Sequence, residues 1–141
     1  MRHCVPLTVH IFFIRDNQLL LLRRYNTGFG DGQYSVVAGH LEAGETVIQS
    51  AVRESQEEVG LIISAEALEV IGIMHRKSDD ERVDFFALAK HWQGNPVNRE
   101  PHLCDELRWC SLEGLPQNTI PYVRKAVENF RNRQWFDTFG W

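Results

Sequence analysis

The stretch Gly39–Leu61, "GHLEAGETVIQSAVRESQEEVGL", decides how this chain is read. From Thr46 onward it carries the marks of an α-helix. Thr46 and Gln49, three residues apart, make a capping box in which each side chain takes up a backbone N–H left free at a helix start. Gly60 suits the position just past the helix end, where the backbone turns left-handed. Val47, Ile48, Ala51, Val52 and Val59 recur at helical spacing and define one apolar side. Ser55 interrupts that side, and its hydroxyl is expected to bond back to a carbonyl one turn earlier. Glu54, Glu57 and Glu58 stand at i, i+3 and i+4 and share a face. Unneutralised carboxylates at that spacing repel by roughly a few tenths of a kcal/mol per pair. A divalent cation would convert the repulsion into binding, and hard oxygen ligands select Mg²⁺, Mn²⁺ or Ca²⁺ over softer metals. A solvated acidic face is the plainer reading of any such trio.

Outward from this helix the chain alternates short apolar runs with turn signals. Leu7–Ile14 and Gln18–Arg24 flank Asp16-Asn17 and read as a β-hairpin. Asn26–Gln33, with three glycines, is a loop, and Tyr34–Ala38 is a short strand leading into Gly39. Ala67–Arg76 and Arg82–Trp92 read as paired strands around "KSDDE", and Glu106–Leu112 as the last strand. Pro121 suits the first turn of a helix running to about Arg131. Strands on both sides of a central helix, with a second helix near the end, indicate an α/β or α+β sandwich. The length of 141 residues suits one domain, 1–141, with one core.

The totals exclude several classes. A formal net charge of -4 offers no general attraction to nucleic acid or to a membrane surface, so no stable nucleic-acid partner is expected. The longest apolar run near the start, around Val9–Ile14, falls far short of the roughly 18 residues of a membrane span. "MRHCVPLT" lacks a signal-peptide pattern. Cys4, Cys104 and Cys110 are odd in number and unpaired in spacing, which fits free thiols in a reducing cytoplasm rather than a disulfide framework or a zinc site. The chain reads as cytoplasmic.

Seven positions decide between a bland acidic face and a metal site. Gly39, Glu45, Arg53, Glu54, Glu57, Glu58 and Gly60 stand in the order G-x5-E-x7-R-E-x-x-E-E-x-G, with apolar Leu61 next. At a frequency of roughly 7% per position, chance agreement is on the order of 10⁻⁸ per window. The segment resembles the signature of the Nudix hydrolases, which cleave nucleoside diphosphates linked to another group. Ser55 stands where the family usually has an apolar residue, and Val37-Ala38-Gly39 where it often has Pro-Gly-Gly. The resemblance implies an α/β/α sandwich with a mixed β-sheet and Mg²⁺ as cofactor, with Mn²⁺ as a substitute. It implies metal ligands from Glu54, Glu58 and the Gly39 carbonyl, with Glu57 a further ligand or the general base. It implies that Arg53, pointing away from the carboxylate trio, supports the site through Glu45. Glutamates outside the motif also serve in this family, and Glu106 is the candidate here.

Substrate signals are thinner. Markers of the ADP-ribose and diadenosine branches are missing after the motif, where His75, Arg76, Lys77 and Ser78 stand. The compact length is similar to the MutT-type branch, which converts nucleoside triphosphates to monophosphates and pyrophosphate. Glu100, Pro101, Cys104 and Trp109 resemble a segment of MutT-type diphosphatases, with Leu103 in place of a lysine. The leading expectation is therefore a small nucleotide substrate, a nucleoside triphosphate or a modified one. A nucleotide sugar or other capped diphosphate is the alternative, and a non-catalytic ligand sensor the third. Arg23 or Arg24, alternating along a strand, and His75 and Arg76 are candidate phosphate contacts, a pair of surface residues being the plainer reading of the last two. The glycine-rich loop is a candidate lid. Trp135, Phe136, Phe139 and Trp141 form an aromatic tail that is expected to pack on the domain, line the pocket or bury itself in a homodimer.

Overall fold

The computed structural model describes all 141 residues. Its elements run β1 (Leu7–Arg15), β2 (Gln18–Arg24), β3 (Tyr34–Ser35), β4 (Val37–His40), α1 (Val47–Val59), β5 (Leu68–Lys77), β6 (Glu81–Ala89), β7 (Cys104–Ser111), α2 (Pro121–Arg131) and β8 (Phe136–Phe139). The central order is β3-β2-β1-β6-β5-β8, with β4 also on β1 and β7 also on β2. β1 with β6 and β5 with β8 are parallel, and the other pairs are antiparallel, so the sheet is mixed as expected.

The hairpin forms at the predicted turn. Asp16 and Asn17 both take positive φ, the backbone that lets a two-residue turn match the twist of its strands. Only its base is paired, Ile14 with Leu19 and Arg15 with Gln18. Beyond that the strands diverge, β1 toward β4 and β6, and β2 toward β3 and β7.

β1 is buried on both faces, which is why it reads as a continuous apolar run rather than an alternating one. Val9, Ile11 and Phe13 enter a core with Ala51 and Val59 of α1. Phe12 enters a second core with Tyr122, Val123, Ala126 and Val127 of α2. The two helices thus cover opposite faces of the sheet, giving the α/β/α sandwich.

α1 carries every predicted end signal. Gln49 N–H donates to Thr46 Oγ1 at 3.1 Å, and Thr46 N–H to Gln49 Oε1 at 2.9 Å. Gly60 closes the helix at φ 67°. Ser55, wholly buried, donates to the Ala51 carbonyl at 2.7 Å, so the helix itself satisfies the hydroxyl on the apolar side.

The structure corrects three boundaries. Tyr34–Ala38 is two strands with different partners, because the chain crosses there from β2 to β1. The strand expected over Arg82–Trp92 ends at Ala89. The strand of Glu106–Leu112 begins at Cys104 and is not the last, since the aromatic tail adds β8 in parallel to the edge of β5. Of the three fates expected for the tail, packing on the domain is the one seen. Phe139 turns in toward α2, while Trp135, Phe136 and Trp141 stay more than half exposed. No helix is long and apolar enough to cross a membrane.

Candidate active site

The site is built where α1 lies against β4. Residues 38 and 39 present backbone to the helix, and the helix answers with carboxylates. Glu54 lies so close over Gly39 that a Cβ there would fall 2.1 Å from its carboxyl carbon. Only glycine leaves that room, which is the physical content of Gly39 in the motif. Glu58 is buried deeper and accepts the Ala38 N–H at 2.9 Å. Burial raises both acids: Glu54, opposed by Arg53, and Glu58 well above the usual range, with Glu54 adding to it. Two largely shielded carboxylates set against the backbone of residues 38 and 39 are a donor set that suits a hard divalent cation.

Arg53 does not point away from the trio. Its guanidinium donates to Glu45 through Nε at 2.7 Å, to Glu54 at 2.7 Å and to Glu57 at 3.1 Å through Nη1, and to the His40 carbonyl at 3.1 Å. The expected link to Glu45 is present, and the Arg53 hydrogen bond holds the Glu45 carboxyl at about 2. The extra reach arises because residues 53 and 57 share a helix face one turn apart. No three His, Cys, Asp or Glu side chains converge, and the cation between Glu54 and Glu57 is a guanidinium.

The carboxylates outside the motif are arranged differently from the sequence reading. Glu106, on β7, accepts the Tyr34 hydroxyl at 2.8 Å and lies 3.6 Å from Arg23. Glu100 is the outside acid whose charge acts on both Glu54 and Glu58. Its position in a segment without regular structure, between β6 and β7, left no periodicity by which to find it.

A cavity of about 390 Å³ opens beside Gly39, with Ala38, Gly39 and His40 in its wall. Of the two candidate arginines, Arg24 reaches it and Arg23 is turned to Asp105 at 2.7 Å. Arg24 donates to the Phe29 carbonyl at 2.6 Å and so anchors the glycine-rich loop, whose Phe29 also lines the cavity. His75 is not in the wall. Its Nε2 is 2.6 Å from Glu81, and its ring lies against Trp141. Its neighbour Arg76, the other candidate contact, is the residue that faces the cavity, and it is only 3% exposed rather than at the surface.

The cavity floor is a polar network that the sequence reading missed. Arg76 donates to Asp84 through Nε at 2.7 Å and Nη2 at 3.2 Å, and Thr8 also donates to Asp84. Burial opposes ionisation of Asp84, yet His10, Arg76 and Thr8 hold its carboxyl below the usual range. His10 lies 3.0 Å from the Tyr122 hydroxyl. Burial lowers its imidazole to about 4, against the pull of Asp84. One signal was available: Thr8 and His10 are polar residues two apart in an apolar strand, hence on one face.

The NUDIX domain profile matches residues 5–131. The chain belongs to the Nudix hydrolase family, whose enzymes act on nucleotide diphosphate bonds with a divalent metal. It is 35% identical over 106 residues to the NAD-capped RNA hydrolase NudC of Pseudomonas aeruginosa, covering 75% of this chain and 36% of that protein. The chain therefore spans about a third of the length of that relative. It is 28% identical to the 8-oxo-dGTP diphosphatase of Escherichia coli K12, over 87% of this chain and 92% of that one. The crystal structure of a MutT NUDIX hydrolase from Burkholderia pseudomallei superposes with a TM-score of 0.82 at 23% identity, over 89% and 98% of the two chains.

Proposed function

We propose that the chain hydrolyses a diphosphate bond of a nucleoside triphosphate or modified triphosphate, releasing the monophosphate and pyrophosphate, with Mg²⁺ as cofactor. The observation that carries this is the placing of two largely shielded carboxylates, Glu54 packed over Gly39 and Glu58 on the Ala38 N–H, behind backbone that forms the wall of a cavity of about 390 Å³. The likeness to the 8-oxo-dGTP diphosphatase, matched over 92% of that chain, supports the triphosphate.

Glu54, Glu58 and the Gly39 carbonyl would hold the metal, which supplies charge neutralisation and a more acidic water. Glu57, on α1, or Glu100, whose charge acts on Glu54 and Glu58, would take a proton from the attacking water. The water oxygen bonds to one phosphorus, the bridging P–O bond breaks, and the departing phosphate leaves with the electron pair. Arg53 holds Glu54 and the Glu45 loop in place. It is a positioning residue.

The second reading is cleavage of a nucleoside diphosphate linked to another group. It is favoured by the likeness to NudC, since an NAD cap is two nucleosides joined by a diphosphate. Assaying triphosphates, oxidised triphosphates, NAD and nucleotide sugars for phosphate and pyrophosphate release decides between them. Pyrophosphate from triphosphates supports the first reading. Turnover of NAD or nucleotide sugars alone supports the second. No Mg²⁺-dependent turnover on any of them would sink both and leave a ligand sensor.

A further inference from the structure

Near its end, β5 uses its two faces differently. Neighbouring strand residues point to opposite sides. Arg76 faces the cavity beside Gly39, where its guanidinium donates to Asp84 and, at 3.0 Å, to the Ser78 hydroxyl. His75 faces away, toward Glu81 and Trp141. Residues 78–80 then turn the chain from β5 into β6, with the Ser78 N–H donating to the Asp80 carbonyl at 3.1 Å. Ser78, Asp79 and Asp80 form one rim of the cavity, together with Arg82.

The segment after α2 holds this turn from behind through three contacts. β8 pairs with β5 as far as Phe139 opposite Arg76. Gly140 then passes so close to Lys77 that a Cβ would fall 1.9 Å from the Lys77 carbonyl oxygen, and its φ is 84°. Trp141 donates from Nε1 to the His75 carbonyl at 2.9 Å. Its ring lies 4.7 Å from that of His75 and 5.7 Å from the Lys77 ammonium. All three contacts come from residues beyond 131, where the match to the family profile ends.

These contacts do little for the core. Trp141 is 65% exposed, so its indole covers the end of a strand instead of filling the interior. What they fix is the place of His75 and Lys77, and through them the place of the turn. The rim carries none of the carboxylates of α1. Glu54 and Glu58 are set by α1 against β4. A displaced rim therefore alters how the cavity holds a ligand and leaves the metal-binding carboxylates where they are.

We propose that Gly140 and Trp141 are positioning residues for the cavity rim, holding the turn of residues 78–80 in the place where it meets the ligand. The kinetic consequence rests on the hydrolase reading above. The placement of the turn does not.

The test uses the full chain and its Trp141→Ala, Gly140→Ala and Trp135→Ala variants. Trp135 is a comparable exposed aromatic at the start of β8, beside Ile73 and Phe130, and serves as the control. Thermal melting sets a temperature at which each variant is folded, and Trp141→Ala decides if Gly140→Ala does not fold. Hydrogen exchange is read at the Ser78 amide without nucleotide. Steady-state kinetics follow with a nucleoside triphosphate and Mg²⁺. Trp141→Ala and Gly140→Ala are expected to speed Ser78 exchange and to raise KM, each by about 3- to 10-fold, with kcat within about 2-fold of the wild type. Trp135→Ala leaves both unchanged. An unchanged KM in Trp141→Ala overturns the proposal, as does a fall in kcat at constant KM or an equal rise in KM from Trp135→Ala. If the wild type turns over no nucleotide, the hydrolase reading fails instead, and Ser78 exchange alone judges the placement. Faster exchange in Trp141→Ala but not in Trp135→Ala upholds it, and equal exchange in the two overturns it.

Discussion

Gly39 and Arg76 show how single residues set this site. Glu54 reaches β4 only because Gly39 has no side chain. Gly39→Ala is expected to displace the carboxylate and lower kcat/KM by about 100-fold or more, the scale of a lost electrostatic contact in a reacting site. The cost of the extra methyl in stability is about 1–3 kcal/mol. Steady-state kinetics beside a urea melt separates the two effects. Arg76→Met leaves Asp84 charged and buried, and should cost about 3–5 kcal/mol in urea unfolding. A loss below about 1 kcal/mol would show that the pair is not sealed from solvent as described. His10 gives a pH signature. Its imidazole is held at about 4 when folded and takes a proton near 6.5 when unfolded. Between those values the unfolded chain binds more protons, so stability rises with pH across that window and is lost as pH falls from 6.5 toward 4. The full effect is roughly 3 kcal/mol. His10→Phe should flatten that part of a stability–pH curve.

At the scale of elements, α1 is stabilised by its apolar side in the core and by caps at both ends. Gly60 holds φ 67°, where an L side chain costs about 1–2 kcal/mol. Gly60→Ala is therefore expected to lower the unfolding free energy from urea melts by that amount while leaving β4 and the Gly39 contact intact. β8 is the opposite case, an element that closes a sheet edge. Trp141 Nε1 donates to the His75 carbonyl at 2.9 Å, and β8 pairs with Ile73–Arg76 of β5. Removing residues 134–141 bares that edge beside Arg76. The truncated chain should melt lower than the full one and associate more readily, since an open strand edge invites pairing. An unchanged melting temperature would mean that β8 adds nothing to the fold.

Across the whole molecule, what was legible in the sequence is what local rules determine. The capping box, Gly60, the Ser55 back-bond, the Asp16-Asn17 turn and the shared face of Glu54, Glu57 and Glu58 each depend on a few neighbouring residues. They came through intact. The parts that were not legible depend on register and on contacts between distant residues. His10 meets Tyr122 across 112 positions, and Thr8 meets Asp84 across 76. Glu100 comes near the helix from an irregular segment, where spacing carries no information. The register of β5 and β6 puts Arg76 opposite Arg82, and the face that Arg76 takes follows from the bulge near Val70–Gly72. That bulge shifts the alternation by one residue, and no local rule announces it from the sequence.

The central claim is that the α1 carboxylates over Gly39 hold the metal that drives diphosphate hydrolysis. Glu58→Gln keeps the size and the acceptor for Ala38 N–H while removing the charge. The most direct measurement is its turnover of a nucleoside triphosphate across a Mg²⁺ titration, beside the wild type at matched folding. The account predicts a fall in kcat/KM on the order of 10²–10³-fold, with a weaker response to Mg²⁺. Turnover close to that of the wild type at the same Mg²⁺ concentrations would contradict it.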